Sequence, residues 1–168
     1  MPSIVIFYSR ADENYFGGSY RYIEVGNTEK AAKMISQING ADLFKLEQVK
    51  PYSKDYQACI AEAKKDLQNN ARPELKAVPD VGGYDEIYLG YPNYWGKMPM
   101  AVYTFLESAD LAGKTIHPFC THEGSGLSGT VNDIKKLCPS AKVASGLALH
   151  GSSVDNSFKT IEKWINED

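Results

Sequence analysis

Five short apolar runs, each followed by a stretch with helical periodicity, constrain this chain more than any other feature. Ile4-Val5-Ile6-Phe7-Tyr8 is β-branched and aromatic and reads as a buried strand. Asn27-Thr28 then opens a helical pattern with Ala31, Ile35 and Ile38 on one face. Ala41 to Glu47 reads as a second strand, with Tyr56, Ile60, Ala63 and Leu67 following at helical spacing. Glu86 to Gly90 is a third, and Met98, Val102, Phe105 and Leu106 mark the helix after it. Thr115 to Thr121 is a fourth, followed by Leu127, Val131, Ile134 and Leu137. Lys142 to Leu149 is the fifth, and Val154, Phe158, Ile161 and Ile165 mark the last helix. Repeated β-α units with short connections imply an α/β fold, a parallel sheet with helices on both faces. Right-handed crossovers then place the loops after the strands along one sheet edge, where such sheets bind ligands. No repeat, low-complexity tract or linker interrupts residues 1–168, so one domain is expected.

Composition narrows the function classes. Hydrophobic residues make up 43% and charged residues 23%, which excludes a disordered chain. A formal net charge of −3 gives no electrostatic footprint for nucleic acid. The apolar stretches are too short to span a membrane, and Met1-Pro2-Ser3 runs directly into a strand with no signal peptide before it. Cys59, Cys120 and Cys138 are odd in number and form no C-x-x-C pair. They read as reduced thiols in the cytoplasm, with neither a disulfide framework nor a metal site.

Three loops fall at the ligand-binding edge. The first joins Ser9 to Gly26-Asn27-Thr28. It combines two hydroxyls, an amide and the free N–H groups of a helix start, a natural phosphate cradle. Arg10 is its nearest basic residue, and no lysine follows the glycine, so phosphoryl transfer is not expected. The same residues also fit a simple turn with Asn27 as N-cap. The loop is long at about 17 residues, where about 2–6 are usual. It carries Tyr15, Phe16, Tyr20 and Tyr22, and Tyr20 to Val25 has the makings of a small strand. It is either a lid over the ligand or a surface excursion packed by its own aromatics.

The second loop is Tyr91-Pro92-Asn93-Tyr94-Trp95-Gly96-Lys97. Its adjacent aromatics either stack on a planar ligand or cover the neighbouring helix. The third is Thr121-His122-Glu123-Gly124-Ser125-Gly126, whose glycines let the backbone approach a ligand. Gly124, Gly126 and Gly129 match G-x-G-x-x-G in form. They follow the fourth strand rather than the first, and Leu149-His150 stands where a ribose-binding acid belongs, so this is no dinucleotide site.

On these motifs, over nearly its whole length, the chain resembles the flavodoxin-like FMN proteins of the short-chain type. The resemblance implies a three-layer sandwich, a five-stranded parallel sheet in the order 2-1-3-4-5 and FMN at the switch point; spacing alone does not show these. It assigns Ser9, Arg10, Val25, Gly26, Asn27 and Thr28 to the phosphate, across a loop split by the insertion. Pro92, Asn93, Tyr94, Trp95 and Gly96 fall to the isoalloxazine, as do Thr121, His122, Glu123, Gly124, Ser125 and Gly126. Electron transfer through a non-covalent flavin is the implied function, with an FMN-dependent reductase of a quinone or other small molecule as the alternative. Redox proteins or a small electron acceptor are the implied partners, and the chain is expected to be a monomer or weak homodimer. No residue is assigned a catalytic role, though His122 beside the ring has the chemistry of a proton donor.

Overall fold

A computed structural model describes residues 2–16 and 18–167; the side chains of Glu13 and Phe16 lie outside what is described. The elements run β1 (Ser3–Phe7), β2 (Asp12–Phe16), β3 (Ser19–Ile23), α1 (Asn27–Asn39), β4 (Asp42–Lys45), α2 (Tyr56–Gln68) and β5 (Glu86–Pro92). They continue with α3 (Met100–Ser108), β6 (Thr115–His122), α4 (Thr130–Leu137), β7 (Lys142–Val143) and β8 (Leu147–His150). A 3₁₀ turn, Gly151–Asn156, leads into α5 (Phe158–Glu167).

The main sheet is parallel, in the order β4-β1-β5-β6-β7, with β8 also pairing β6. Apart from the β2–β3 hairpin, this is the order 2-1-3-4-5 with the fifth strand in two pieces. The first piece pairs Lys142 and Val143 with Thr115 and Ile116, and the second pairs Leu147 to His150 with Phe119 to His122. Between them the backbone leaves the ladder, and the Ser145 carbonyl accepts from Trp164 Nε1 of α5 at 3.1 Å.

Strand alternation feeds two cores. Ile4, Ile6, Ile87, Leu89, Tyr91, Ile116 and Cys120 point to the side covered by α3 and α4, where Val102, Phe105 and Ile134 are buried. Val5, Phe7, Tyr88 and Phe119 point to the other, against Ala31 and Ile35 of α1 and Ile161 and Trp164 of α5. β4 is an edge strand, shorter than Ala41 to Glu47, and its Leu43 is exposed. The last apolar stripe is also narrower than its periodicity suggests. Val154 is buried in the 3₁₀ turn, and Phe158, at the start of α5, is exposed. Among the described residues no helix is long and apolar enough to cross a membrane.

The insertion after β1 is the antiparallel hairpin β2–β3, with Tyr15 paired to Tyr20 and Asp12 to Ile23. It stands apart from the main sheet and packs on α2. The strand expected at Tyr20 to Val25 is its second arm.

Candidate functional site

The ends of β1, β5, β6 and β8 open onto one cleft of about 360 Å³, closed on the far side by α2 and the hairpin. Ser9 and the start of α1 meet there despite the insertion between them. A Cβ on Gly26 would stand 2.2 Å from Ser9 Oγ and 2.6 Å from the Arg10 carbonyl, so only glycine permits this approach. Gly26, not Asn27, is the N-cap, and it makes no side-chain capping bond. The cap comes from across the loop instead: Ser9 Oγ accepts the Glu29 N–H at 3.0 Å. Asn27 is thereby released from capping, and its Oδ1 is buried without a partner.

Thr28 is buried and shares a 2.7 Å hydrogen bond with the Thr121 hydroxyl, tying the first loop to the third. Two hydroxyls in one mutual bond leave one proton to donate elsewhere. Arg10 lines the cleft, and its guanidinium donates to the carbonyls of Ser53 (2.8 Å) and Lys54 (2.9 Å) ahead of α2. Ser9, Val25 and Gly26 do not line the cleft.

In the second loop Tyr94 and Lys97 exchange backbone bonds of 2.8 and 3.0 Å around a two-residue turn. Trp95 (φ 55°) and Gly96 (φ 78°) are both left-handed, as such a turn requires. The two aromatics therefore diverge. Tyr94 turns inward, edge-on to Tyr8 at 6.0 Å, and burial holds its phenol well above its ordinary pKa, so it stays uncharged. Trp95 is 50% exposed, donates Nε1 to the Ile60 carbonyl at 3.2 Å and carries the Lys64 ammonium 5.0 Å from its ring centre. Both line the cleft, so helix cover and cleft wall are one arrangement. Pro92 and Asn93 line it too, while Gly96 does not. Asn93 clasps the loops together: Nδ2 donates to the Gly126 carbonyl and Ser128 Oγ, each at 3.0 Å, and Oδ1 accepts the Gly96 N–H at 2.9 Å.

In the third loop Thr121, His122, Glu123 and Ser125 line the cleft, and Gly124 and Gly126 stand behind them. His122 Nδ1 accepts the Gly124 N–H at 2.9 Å, which places the proton of the neutral ring on Nε2. Desolvation, and then the His150 ring 5.5 Å away, lower the His122 pKa. A depressed histidine contributes stability that is present above its usual value and is lost as pH falls through the depressed one. The unfolding midpoint should therefore drop as pH falls below about 6.5. His122→Asn, which keeps an acceptor for Gly124 but does not titrate, should flatten that drop. Unfolding midpoints of both proteins from about pH 7 to about pH 5 measure it; parallel curves would remove His122 as the cause.

Glu123 Oε2 lies 3.3 Å from His150 Nδ1, and its Oε1 is buried with no partner. Asn27 Oδ1 and Glu123 Oε1 are two of the four buried side-chain atoms without a partner among the described residues, and both belong to cleft residues. Such atoms are costly unless a ligand or water satisfies them.

Sequence reasoning missed part of the wall. Gly151, after β8, sits on the same sheet edge, and the position of loops after strands could have found it. Tyr56, Cys59, Ile60 and Ala63 of α2 also line the cleft, as do Asn14 and Tyr15 of the hairpin. Among the described residues no cluster of three His, Cys, Asp or Glu is placed to hold a metal.

Residues 18–168 match the family model described as Flavodoxin. Solved structures agree in fold. A candidate flavoprotein from Bacteroides uniformis is 25% identical, with 98% of this chain and 97% of that one covered and a TM-score of 0.77. A flavoprotein from Lactobacillus acidophilus, solved in complex with FMN, is 21% identical over 92% of this chain and 97% of its own, with a TM-score of 0.67. An NADH:FMN oxidoreductase is 14% identical over 99% and 89%, with a TM-score of 0.56. No curated protein matches the chain.

Proposed function

The chain belongs to the flavodoxin family, and on that premise we propose that it holds FMN non-covalently in this cleft and passes electrons through the flavin ring. The observation that carries the reading is the pair of buried, unpartnered acceptors, Asn27 Oδ1 and Glu123 Oε1, beside the N-terminus of α1. Acceptors without donors call for the hydroxyls of a polyol. A helix start calls for an anion. The flat faces of the second loop call for a ring. FMN joins a phosphate, a ribityl chain and a ring in one molecule, and the Lactobacillus neighbour was solved with FMN.

When bound, FMN supplies one- and two-electron chemistry. The chain's own residues set the conditions for it. The first N–H groups of α1 and the Thr28–Thr121 hydroxyl pair hold the phosphate end. Asn27 and Glu123 accept from the polyol. Tyr94 and Trp95, which line the cleft, would hold the ring and shield it from water. The Glu123 carboxylate makes added negative charge on a neighbouring ligand less favourable. His122 keeps the proton of its neutral ring on Nε2, because Nδ1 accepts the Gly124 N–H.

Denaturing the purified protein should release FMN and no FAD, since the cleft offers one phosphate cradle. Release of FAD, or a colourless protein that fails to take up FMN, would overturn the reading. As partners we propose a redox protein or a small electron acceptor. One observation favours the second, a reductase reading: Tyr15 of the hairpin and Tyr56 of α2 line the cleft beside Arg10 and Asn14. Offering the chemically reduced, FMN-loaded protein either a cytochrome or a quinone separates the two.

A further inference from the structure

A second cleft, of about 550 Å³, opens on another face of α2. Glu62, Lys65 and Asp66 of the helix line it, and no residue lines both clefts. Its other walls are the segment before α2, from Gln48 to Tyr52, and the segment after it, from Ala71 to Glu74. The two segments are tied to each other. A bridge pairs Gln48 with Leu75, the Val49 N–H donates to the Glu74 carbonyl at 2.9 Å, and the Lys76 N–H donates to the Glu47 carbonyl at 2.8 Å. Tyr52 donates its hydroxyl to Asp66 and so fastens the first segment to α2. Pro51 and Pro73 stiffen the backbone of both walls. A cleft held this way loses little entropy when it binds.

Its charges balance. Lys50, Lys65 and Arg72 line it together with Glu62, Asp66 and Glu74. One member of each sign is already committed in full view: Arg72 donates to both Glu107 oxygens, at 2.7 and 3.1 Å, and Asp66 accepts from Tyr52. Glu62 Oε1 accepts the Ser53 N–H at 2.8 Å. Lys50, Lys65 and Glu74 are exposed and make no side-chain bond or ion pair among the described residues. Between them stands Gln48, which is only 5% exposed. Its Nδ-type donor is used, since Nε2 donates to the Lys50 carbonyl at 3.1 Å, but its Oε1 is buried with no partner. An acceptor left so is costly until a donor reaches it. The terminal amide turns about a broad torsion, so Oε1 can meet a donor in the cleft without moving the backbone.

We propose that this second cleft binds a zwitterion, an α-amino acid free or as a short peptide, with its carboxylate at Lys50 and Lys65 and its ammonium at Glu74 and the Gln48 amide oxygen. The balance of charge is the argument for the occupant. A polyanion meets three carboxylates there and a polycation meets three cations, whereas a molecule carrying one charge of each sign finds a free partner for both. An ammonium has three donors and no acceptor, so one such group serves both the Glu74 carboxylate and Gln48 Oε1. The apolar part of the lining is small: Pro51, Ala71, Pro73 and Val49, the last 45% exposed, suit an aliphatic side chain. The volume lies within the usual range for small-ligand pockets. None of these residues lines the first cleft, so the proposal does not rest on the FMN reading.

The test is a ligand-observed NMR titration of the purified full chain with L-valine and, separately, with L-alanyl-L-valine. The parent should bind at least one of them. Lys65→Gln and Glu74→Gln should each weaken that binding about tenfold, each by removing one charge-assisted contact. Lys65→Arg, which keeps the charge, should retain it. Both positions are exposed and unbonded, so the unfolding midpoints of the variants should match the parent's. N-acetyl-L-valine keeps the carboxylate and loses the ammonium, and it should bind about tenfold more weakly than L-valine. The proposal is overturned if the parent binds neither probe. It is overturned as well if either glutamine variant binds as the parent does, since that end of the ligand is then not read at this cleft. Equal binding of N-acetyl-L-valine and L-valine would overturn it in favour of a simple anion site. A parent that takes up no FMN defeats the cofactor reading alone and leaves this titration as decisive as before.

Discussion

Gly151→Ala is expected to lower FMN affinity by about 10- to 100-fold while leaving the apo protein as stable as the parent. The residue opens a 3₁₀ turn, a conformation alanine adopts without strain. Its added Cβ would stand 2.7 Å from Asn27 Nδ2 and 3.1 Å from Glu123 Oε1. Both are ends of flexible side chains, so they yield rather than break the fold. Yielding moves the two buried acceptors of the cleft, and with them roughly 1.5–3 kcal/mol of hydrogen bonding to the ligand. Flavin fluorescence titration and thermal unfolding of the apo protein measure the two quantities separately. Equal loss of stability and affinity would show that Gly151 serves packing and not the cleft.

Removing the Trp95 ring should weaken oxidised FMN binding about tenfold, restore flavin fluorescence and raise the potential of the second electron. A stacked aromatic presents its negative face to a ring that gains charge on reduction, so the contact favours the oxidised form. The choice of replacement separates ring from backbone. Trp95 is left-handed, which costs a non-glycine residue about 1–2 kcal/mol, and asparagine tolerates that conformation better than alanine. Trp95→Asn should therefore be about 1 kcal/mol more stable than Trp95→Ala, although both lose the half-buried ring and its bond to Ile60. The two variants should nevertheless lose FMN alike. If they bind it as tightly as the parent, the ring only covers α2.

The elements and the first loop were legible because their signals are local. The apolar run at Ile4 to Tyr8 and the stripe at Ala31 and Ile35 define a strand end and a helix start, and Ser9 and Gly26 must then approach each other whatever lies between. The break in the fifth strand was not legible, since it involves Trp164 of a later helix taking the Ser145 carbonyl. Nor was the divergence of Tyr94 from Trp95, which depends on two left-handed residues in succession. Tyr56, Ile60 and Ala63 were read only as a helical stripe. A helix face turned to a cleft has the same period as one turned to a core, and only the tertiary arrangement separates them. Asn27 suits a cap by its residue type, but the competing acceptor, Ser9, is supplied from across the insertion.

The near-contact of Gly26 with Ser9 and Arg10 has an evolutionary consequence. The segment from Ala11 to Val25 leaves the sheet and returns to almost the same point. A graft at such a place is nearly free of geometric penalty: its ends already meet, and each doubling of its length adds only about 0.6 kcal/mol of closure entropy. Lineages can lengthen, shorten or exchange this appendage without disturbing the strand before it or the helix after it. The insertion and the strand and helix that frame it are thus separable stretches of chain, free to diverge at different rates.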